Sequence, residues 1–160
     1  MNYLSESSPA FISAPNKQCT IKHVLTTTDK HLRDPGTAFT SARRIRDLLR
    51  LKMTGSTQEE FMVFYLNQQN RLIGYETLST GIMSSTKVHQ REVVKRALYF
   101  NTASIIVART YSSGEITPGH ADKTLIQHLV NILQLVDIRV QDYLIIDGNQ
   151  IFSFAEHCLL

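Results

Sequence analysis

The first half of the chain carries one helical pattern followed by two strand patterns. Apolar residues recur at helical spacing over residues 42–49, which predicts a helix. Residues 61–66 are nearly continuous in apolar side chains, as expected of a strand that is covered on both faces. The polar residues 67–70 then predict a turn, and residues 72–78 predict the partner strand of a hairpin.

The second half alternates between helix and strand patterns. A second helix is predicted to begin near residues 88–90, and Glu92 and Arg96 lie one turn apart in it and are expected to pair. Residues 104–108 form a short apolar run typical of a central strand. Thr117 and Pro118 are suited to the cap and the first turn of a third helix. Strand patterns on both sides of residues 147–149 predict a closing hairpin.

The predicted order is therefore helix, hairpin, helix, strand, helix, hairpin. This mixed order favours an α/β fold of the α+β sandwich type rather than a doubly wound sheet. Residues 1–18 are rich in Ser, Pro, Asn and Ala and are interpreted as a loosely ordered N-terminal tail. Residues 19–160 are predicted to form one domain, which is long enough to bury a core.

The charge of the chain leaves a nucleic-acid partner open. The net charge is +3 with histidine neutral, a modest excess where electrostatic binding requires clustered cations. Arg43, Arg44 and Arg46 lie close together in the first predicted helix. We interpret them as a solvated helix face, and a nucleic-acid-binding face is the alternative.

The compartment is predicted from what the sequence lacks. Cys19 and Cys158 lie near opposite ends without the paired spacing of zinc or disulfide sites, which indicates free thiols. The first residues do not have the basic start and apolar run of a signal peptide. No run of residues is long and apolar enough for a membrane span. We therefore expect a cytoplasmic protein.

The chemistry is concentrated in residues 101–122, NTASIIVARTYSSGEITPGHAD. This window resembles the RadC family signature, in which a strand ends in His-Asn-His-Pro-Ser-Gly and a helix opens with Pro-Ser-x-x-Asp. Further matches occur in order along about residues 40–160. They are Glu60-Phe61, Leu66-Asn67, Gly81, Val88-His89-Gln90-Arg91-Glu92, Leu135-Val136-Asp137-Ile138, Asp142-Tyr143-Leu144-Ile145-Ile146 and Ser153-Phe154-Ala155-Glu156.

The resemblance implies the JAB1/MPN, or JAMM, metalloprotease-like fold, a curved mixed sheet flanked by helices with a cytidine-deaminase-like architecture. In active members two His and one Asp hold zinc, a water is the fourth ligand, a Glu is the general base and a Ser stabilises the intermediate. Position by position, the two His correspond to Arg109 and Tyr111, the Ser to Gly119 and the Asp to Asp122. The general-base Glu corresponds to Glu60.

These replacements predict a vestigial site that holds no metal and needs no cofactor. The Arg109 guanidinium is cationic and has no acceptor lone pair, so it repels zinc. Tyr111 would have to lose a proton with a pKa near 10 before it became a good ligand. His120 lies two residues before Asp122, a helical spacing that points the two side chains apart. We therefore expect no active catalytic residue.

Without zinc, Asp122 and Glu60 would be neighbouring anions that need another partner. We predict that Arg109 bonds Asp122, Glu60 or both through its planar fork of donors. The alternative is an Arg109 that points into solvent, with Asp122 stabilised only by the positive end of its helix.

Three classes of function remain open. The first is a metal-free pseudoenzyme that acts as a binding or scaffolding module for an unknown protein partner, including a second copy of the chain. The second is a zinc-dependent JAMM-type peptidase or isopeptidase with an altered metal site. The third is a DNA-associated protein, which only the historical DNA repair linkage of the RadC name suggests.

Overall fold

The computed structural model describes residues 42–53, 58–80, 86–112, 114 and 116–160. The predictions for residues 1–41, including the tail and Cys19, lie outside these ranges. Within these ranges the helices are α1 (Ala42–Met53), α2 (Thr86–Tyr99) and α3 (His120–Gln134). The five strands are β1 (Glu60–Leu66), β2 (Leu72–Thr80), β3 (Ser104–Thr110), β4 (Arg139–Asp147) and β5 (Gln150–Ser153).

The strands form one mixed sheet in the order β2-β1-β3-β4-β5. β1 pairs antiparallel with β2 and β3, and β5 pairs antiparallel with β4. β3 and β4 are parallel, so the chain must cross over between them, and α3 provides that crossover. The mixed sheet with three flanking helices confirms the predicted α+β fold.

Apolar clusters cover both faces of the sheet. On one face, residues of α2 and α3 such as Val93 and Leu129 pack against strand residues such as Val107. On the other face, residues of α1 such as Leu48 pack against Phe64 and its neighbours. Because β1 is covered on both faces, residues 61–66 are all buried, which explains their nearly continuous apolar run.

Two local predictions differ from the structure. α3 begins at His120 with Gly119 as its N-cap, two residues after the predicted cap at Thr117. Arg96 pairs with Glu76 of β2 rather than with Glu92, because the neighbouring strand brings a carboxylate closer than the helix does. Glu92 instead contacts Lys95 at 3.8 Å.

Two further findings concern the cysteine and the helices among the described residues. Cys158 is exposed and is not part of a disulfide. Within these residues no helix combines the length and the apolar character that crossing a membrane requires.

Candidate functional site

Asp122 is a buried carboxylate in the first turn of α3, with a relative exposure of 1%. Its Oδ2 accepts a hydrogen bond of 3.1 Å from the backbone N–H of Gly119, the N-cap residue. The side chain thus reaches back to a backbone donor that has no partner within the helix. The positive end of the helix dipole favours a negative charge at this position.

Three side chains complete the hydrogen bonds of the Asp122 carboxylate. Its Oδ1 accepts from Arg109 Nη1 at 3.0 Å and from the Tyr143 hydroxyl at 2.8 Å. Its Oδ2 accepts from the Tyr111 hydroxyl at 2.7 Å, in addition to the bond from Gly119. An ionised carboxylate has about four lone-pair sites, so these donors fill its acceptor capacity.

The sheet explains how distant residues reach one carboxylate. Side chains alternate between the faces of a strand, so Arg109 shares a face of β3 with Val107, which packs beneath α2 and α3. Val107 is the register partner of Tyr143 on the parallel strand β4. Asp122 begins the helix that covers this same face, so the donors of both strands meet it there.

Arg109 forms the predicted contact with Asp122, which confirms the paired interpretation of its role over the solvent-exposed one. Its guanidinium carbon also lies 4.6 Å from the centre of the Tyr111 ring, a cation–π distance. Its Nη2 lies 3.9 Å from Oε2 of Glu59. The Arg109 side chain is 14% exposed, so the charge is held largely away from water.

The glutamate beside Arg109 is Glu59, one residue before the position that the sequence pattern indicated. Glu60 is the first residue of β1, and its backbone N–H donates to Thr110 Oγ1 at 2.6 Å. Alternation along β1 places the Glu60 side chain on the same face as Met62, which packs with α1 on the far side of the sheet. The sequence pattern indicated Glu60 and not Glu59. The two residues are adjacent, and a shift of one residue along a strand moves the side chain to the opposite face of the sheet.

Tyr143 is the second residue that the sequence pattern missed. It lies in a run of apolar residues on β4 and is fully buried, so it was indistinguishable from a core residue. The available signal was its hydroxyl, because a buried tyrosine usually needs a hydrogen-bond partner. That partner, Asp122, is far away in sequence, and only the pairing of β3 with β4 brings them together.

Burial and the Asp122 charge hold the surrounding groups in fixed protonation states. Burial, and then the charge and hydrogen bond of Asp122, raise the pKa of Tyr143 well above its usual value. Burial and the hydrogen bond to Asp122 raise the pKa of Tyr111 in the same direction. Burial is the largest single effect on Arg109 and lowers its pKa, but Tyr143, Tyr111 and Asp122 outweigh it, so the pKa of Arg109 is raised. At neutral pH these raised pKa values keep both phenols neutral and Arg109 cationic.

These shifts predict a loss of stability at high pH. A tyrosine whose folded pKa exceeds its unfolded pKa of about 10 contributes stability that is complete below that pH. As the pH rises through about 10 toward the folded pKa, the unfolded chain releases the proton first, and this contribution is lost. Each tyrosine contributes a slope of at most about 1.4 kcal/mol per pH unit. Urea unfolding between pH 8 and 11 is expected to show this decline, and Tyr143→Phe is expected to make it shallower. An equal decline in both proteins would contradict the assignment of Tyr143.

A zinc ion of the kind that the resemblance implies does not fit this set of donors. Arg109 and Tyr111 both donate to the Asp122 carboxylate, where a metal would need lone pairs directed at it. His120 is exposed whereas Asp122 is buried, so its side chain does not complete a ligand set. Over the described ranges, no group of three His, Cys, Asp or Glu side chains is placed to hold a metal.

All residues of the site lie in the part of the chain that is similar in sequence to known proteins. A family model described as RadC-like JAB domain matches residues 39–159. The UPF0758 protein YfjY of Escherichia coli (strain K12) is 62% identical over 143 residues, covering 89% of this chain and 89% of that protein. The UPF0758 protein YkfG of the same strain is 56% identical over 146 residues, covering 91% and 92%. The UPF0758 protein YeeS, also of that strain, is 54% identical over 146 residues, covering 91% and 99%.

Proposed function

Because the chain belongs to the RadC-like JAB domain family, we propose that it is a metal-free member that acts as a binding module and not as a zinc-dependent hydrolase. One observation carries this proposal, the Asp122 carboxylate whose oxygens are occupied by Arg109, Tyr111, Tyr143 and the Gly119 N–H. A carboxylate in this state has no lone pair left for a dication.

The chemistry of metal-assisted hydrolysis supports the same proposal. Such a site needs three protein ligands and an open position at which a bound water becomes acidic. Here a permanent cation lies 3.0 Å from the retained carboxylate, and the pKa of the neighbouring phenol is raised, away from the ionised form that could bind metal. Gly119, at the position that the resemblance assigns to a serine, has no hydroxyl with which to stabilise an oxyanion.

The intact architecture supports a binding role. The Asp122 cluster joins β3, β4 and the start of α3, so the hydrogen bonds and ion pair that surround it connect the elements that a metal would otherwise connect. A fold that keeps this connection without the ligands for hydrolysis retains its surfaces for other molecules. The partner that we propose is another protein that is bound and not hydrolysed. The hydrolytic groups are replaced, and the fold alone does not assign hydrolysis to the chain.

The DNA-associated alternative finds less support in α1. Arg46, one of the three arginines considered for a nucleic-acid face, donates to Glu156 Oε1 at 2.5 Å and lies 3.9 Å from Asp142 Oδ2. Its charge is thus already balanced by carboxylates of the chain. The side chains of Arg43 and Arg44 lie outside the described residues.

Zinc titration by calorimetry tests the proposal. We expect protein purified without chelator to contain far less than one equivalent of zinc and to show no saturable heat on addition of zinc at pH 7. We also expect the same melting temperature with and without EDTA, since no structural metal contributes to folding. One tightly bound equivalent, removed by EDTA with a fall in melting temperature, would favour the peptidase alternative.

A further inference from the structure

The C-terminal turns of α2 and α3 lie side by side at one end of the domain. Within the helices, Gln90 Nε2 of α2 lies 3.3 Å from His128 Nδ1 of α3. Just beyond the ends of both helices, the Arg139 N–H donates to the Ala103 carbonyl oxygen at 3.1 Å. Because residue numbers rise on both helices from the first contact to the second, α2 and α3 run in the same direction.

The exposed side chains of these last turns are apolar. Leu98 of α2 is 54% exposed, and Leu135, the C-cap residue of α3, is 85% exposed. Ile132 and Val136 are exposed as well, one turn apart on the α3 side. Leu98 and Val136 each follow the contacting pair by eight residues, so they lie at about the same level. We call these four residues the end patch.

Opposite charges lie on the two sides of the end patch. On the α2 side, Lys95 is one turn before Leu98, and its side chain is 70% exposed. Its contact with Glu92 is 3.8 Å long and lies on the surface, so it neutralises the ammonium only slightly. On the α3 side, Asp137 follows Val136 and is exposed. The patch itself contains no charged side chain.

We infer that the end patch is the contact between two copies of this chain, which pack face to face about a two-fold axis. Such an axis through the patch places the α2 side of one copy on the α3 side of the other. Lys95 of each copy then faces Asp137 of its partner, so the symmetry creates two identical ion pairs. Between these pairs, Leu135 of each copy packs into the apolar surface of the other.

The distribution of charge favours a second copy over an unrelated protein. An uncharged centre meets its own image without like-charge repulsion, and the buried centres of homodimer contacts are more apolar than other interfaces. A cation on one side and an anion on the other match themselves after rotation about the axis, a pattern that a partner of different sequence does not require. The end patch lies at the opposite end of α3 from Asp122, so this inference does not rest on the proposed function.

Sedimentation equilibrium of the full chain tests the inference. Four side chains and two ion pairs make a small contact, so we expect a reversible dimer with a dissociation constant of about 10–100 μM. Leu135→Glu is expected to weaken the dimer at least about tenfold, because two carboxylates would enter the apolar centre. The melting temperature of this variant is expected to match that of the natural chain under monomeric conditions, since the leucine is exposed.

A charge exchange tests the predicted pairing. Lys95→Glu and Asp137→Lys, each alone, are expected to weaken the dimer about tenfold, because each turns both ion pairs into like-charge contacts. The double variant K95E/D137K is expected to restore the natural dissociation constant to within about threefold. The matched control Lys123→Glu lies about 18 Å before Leu135 along α3 and is expected to leave the dimer unchanged.

Three results would overturn the inference. The first is a monomer at all concentrations up to about 200 μM, well above the expected dissociation constant. The second is a dimer that Leu135→Glu does not weaken, since the contact would then lie on another surface. The third is a failure of the double variant to recover when its melting temperature is normal, because Lys95 and Asp137 would then not face each other.

Discussion

Replacing Arg109 by methionine is expected to lower the free energy of unfolding by about 3–5 kcal/mol, the usual cost of removing one partner of a buried ion pair. Methionine keeps much of the length of the side chain but removes the donors and the charge. Asp122 is 1% exposed. It would keep the hydrogen bonds from the two tyrosine hydroxyls and the Gly119 N–H, but it would lose Arg109, the only cation among its described contacts. Chemical denaturation at pH 7 measures the change.

A matched control separates this effect from the loss of any arginine. Arg91 is exposed on α2, so Arg91→Met is expected to change the free energy of unfolding by less than about 1 kcal/mol. In a double-mutant cycle, Arg109→Met is expected to cost less when Asp122→Asn is already present, because the buried charge is gone. A loss below about 1 kcal/mol for Arg109→Met, or additive losses in the cycle, would mean that the pair does not stabilise the fold.

Converting both replaced positions to histidine is expected to create a zinc site. In the variant R109H/Y111H, two imidazoles and the Asp122 carboxylate would supply three ligands and leave an open position. Each carboxylate oxygen loses one donor in this variant and keeps one, from Tyr143 or from the Gly119 N–H. The remaining donors are then suited to orienting the carboxylate as a ligand. Calorimetry is expected to show one equivalent of bound zinc.

The expected order of affinities makes this prediction specific. The double variant is expected to bind zinc at least about 100-fold more tightly than the natural chain, and adding Tyr143→Phe is expected to weaken it about tenfold by removing the orienting hydroxyl. Adding Asp122→Asn is expected to abolish binding, since it removes the charged ligand. Zinc affinity of the natural chain equal to that of the double variant would show that Arg109 and Tyr111 do not exclude the metal.

Much of the fold follows from local patterns. The continuous apolar run of β1 follows from the burial of this strand on both faces of the sheet. The start of α3 was predicted less well. Thr117 and Pro118 have good capping chemistry, but Gly119 is the N-cap because Asp122 bonds its N–H from within the helix. A tertiary cluster thus determined a boundary that local propensity assigned elsewhere.

The candidate site was predictable only where its residues share one segment. The spacing of Arg109, Tyr111, Gly119 and Asp122 is contained in a single window, so the pattern could indicate that they meet. Tyr143 comes from a parallel strand after a helical crossover, and no local spacing encodes that register. Local spacing also did not show that Glu59, and not Glu60, lies beside Arg109. The face on which a strand residue lies depends on the pairing of the strand with its neighbours.

The most direct test of the central claim is an anomalous difference map at the zinc edge, from crystals of the natural chain grown with excess zinc. We expect no peak within bonding distance of Asp122, with the Arg109 guanidinium and the two phenols hydrogen-bonded to its oxygens. A strong peak at about 2 Å from an Asp122 oxygen, with Arg109 displaced, would contradict it.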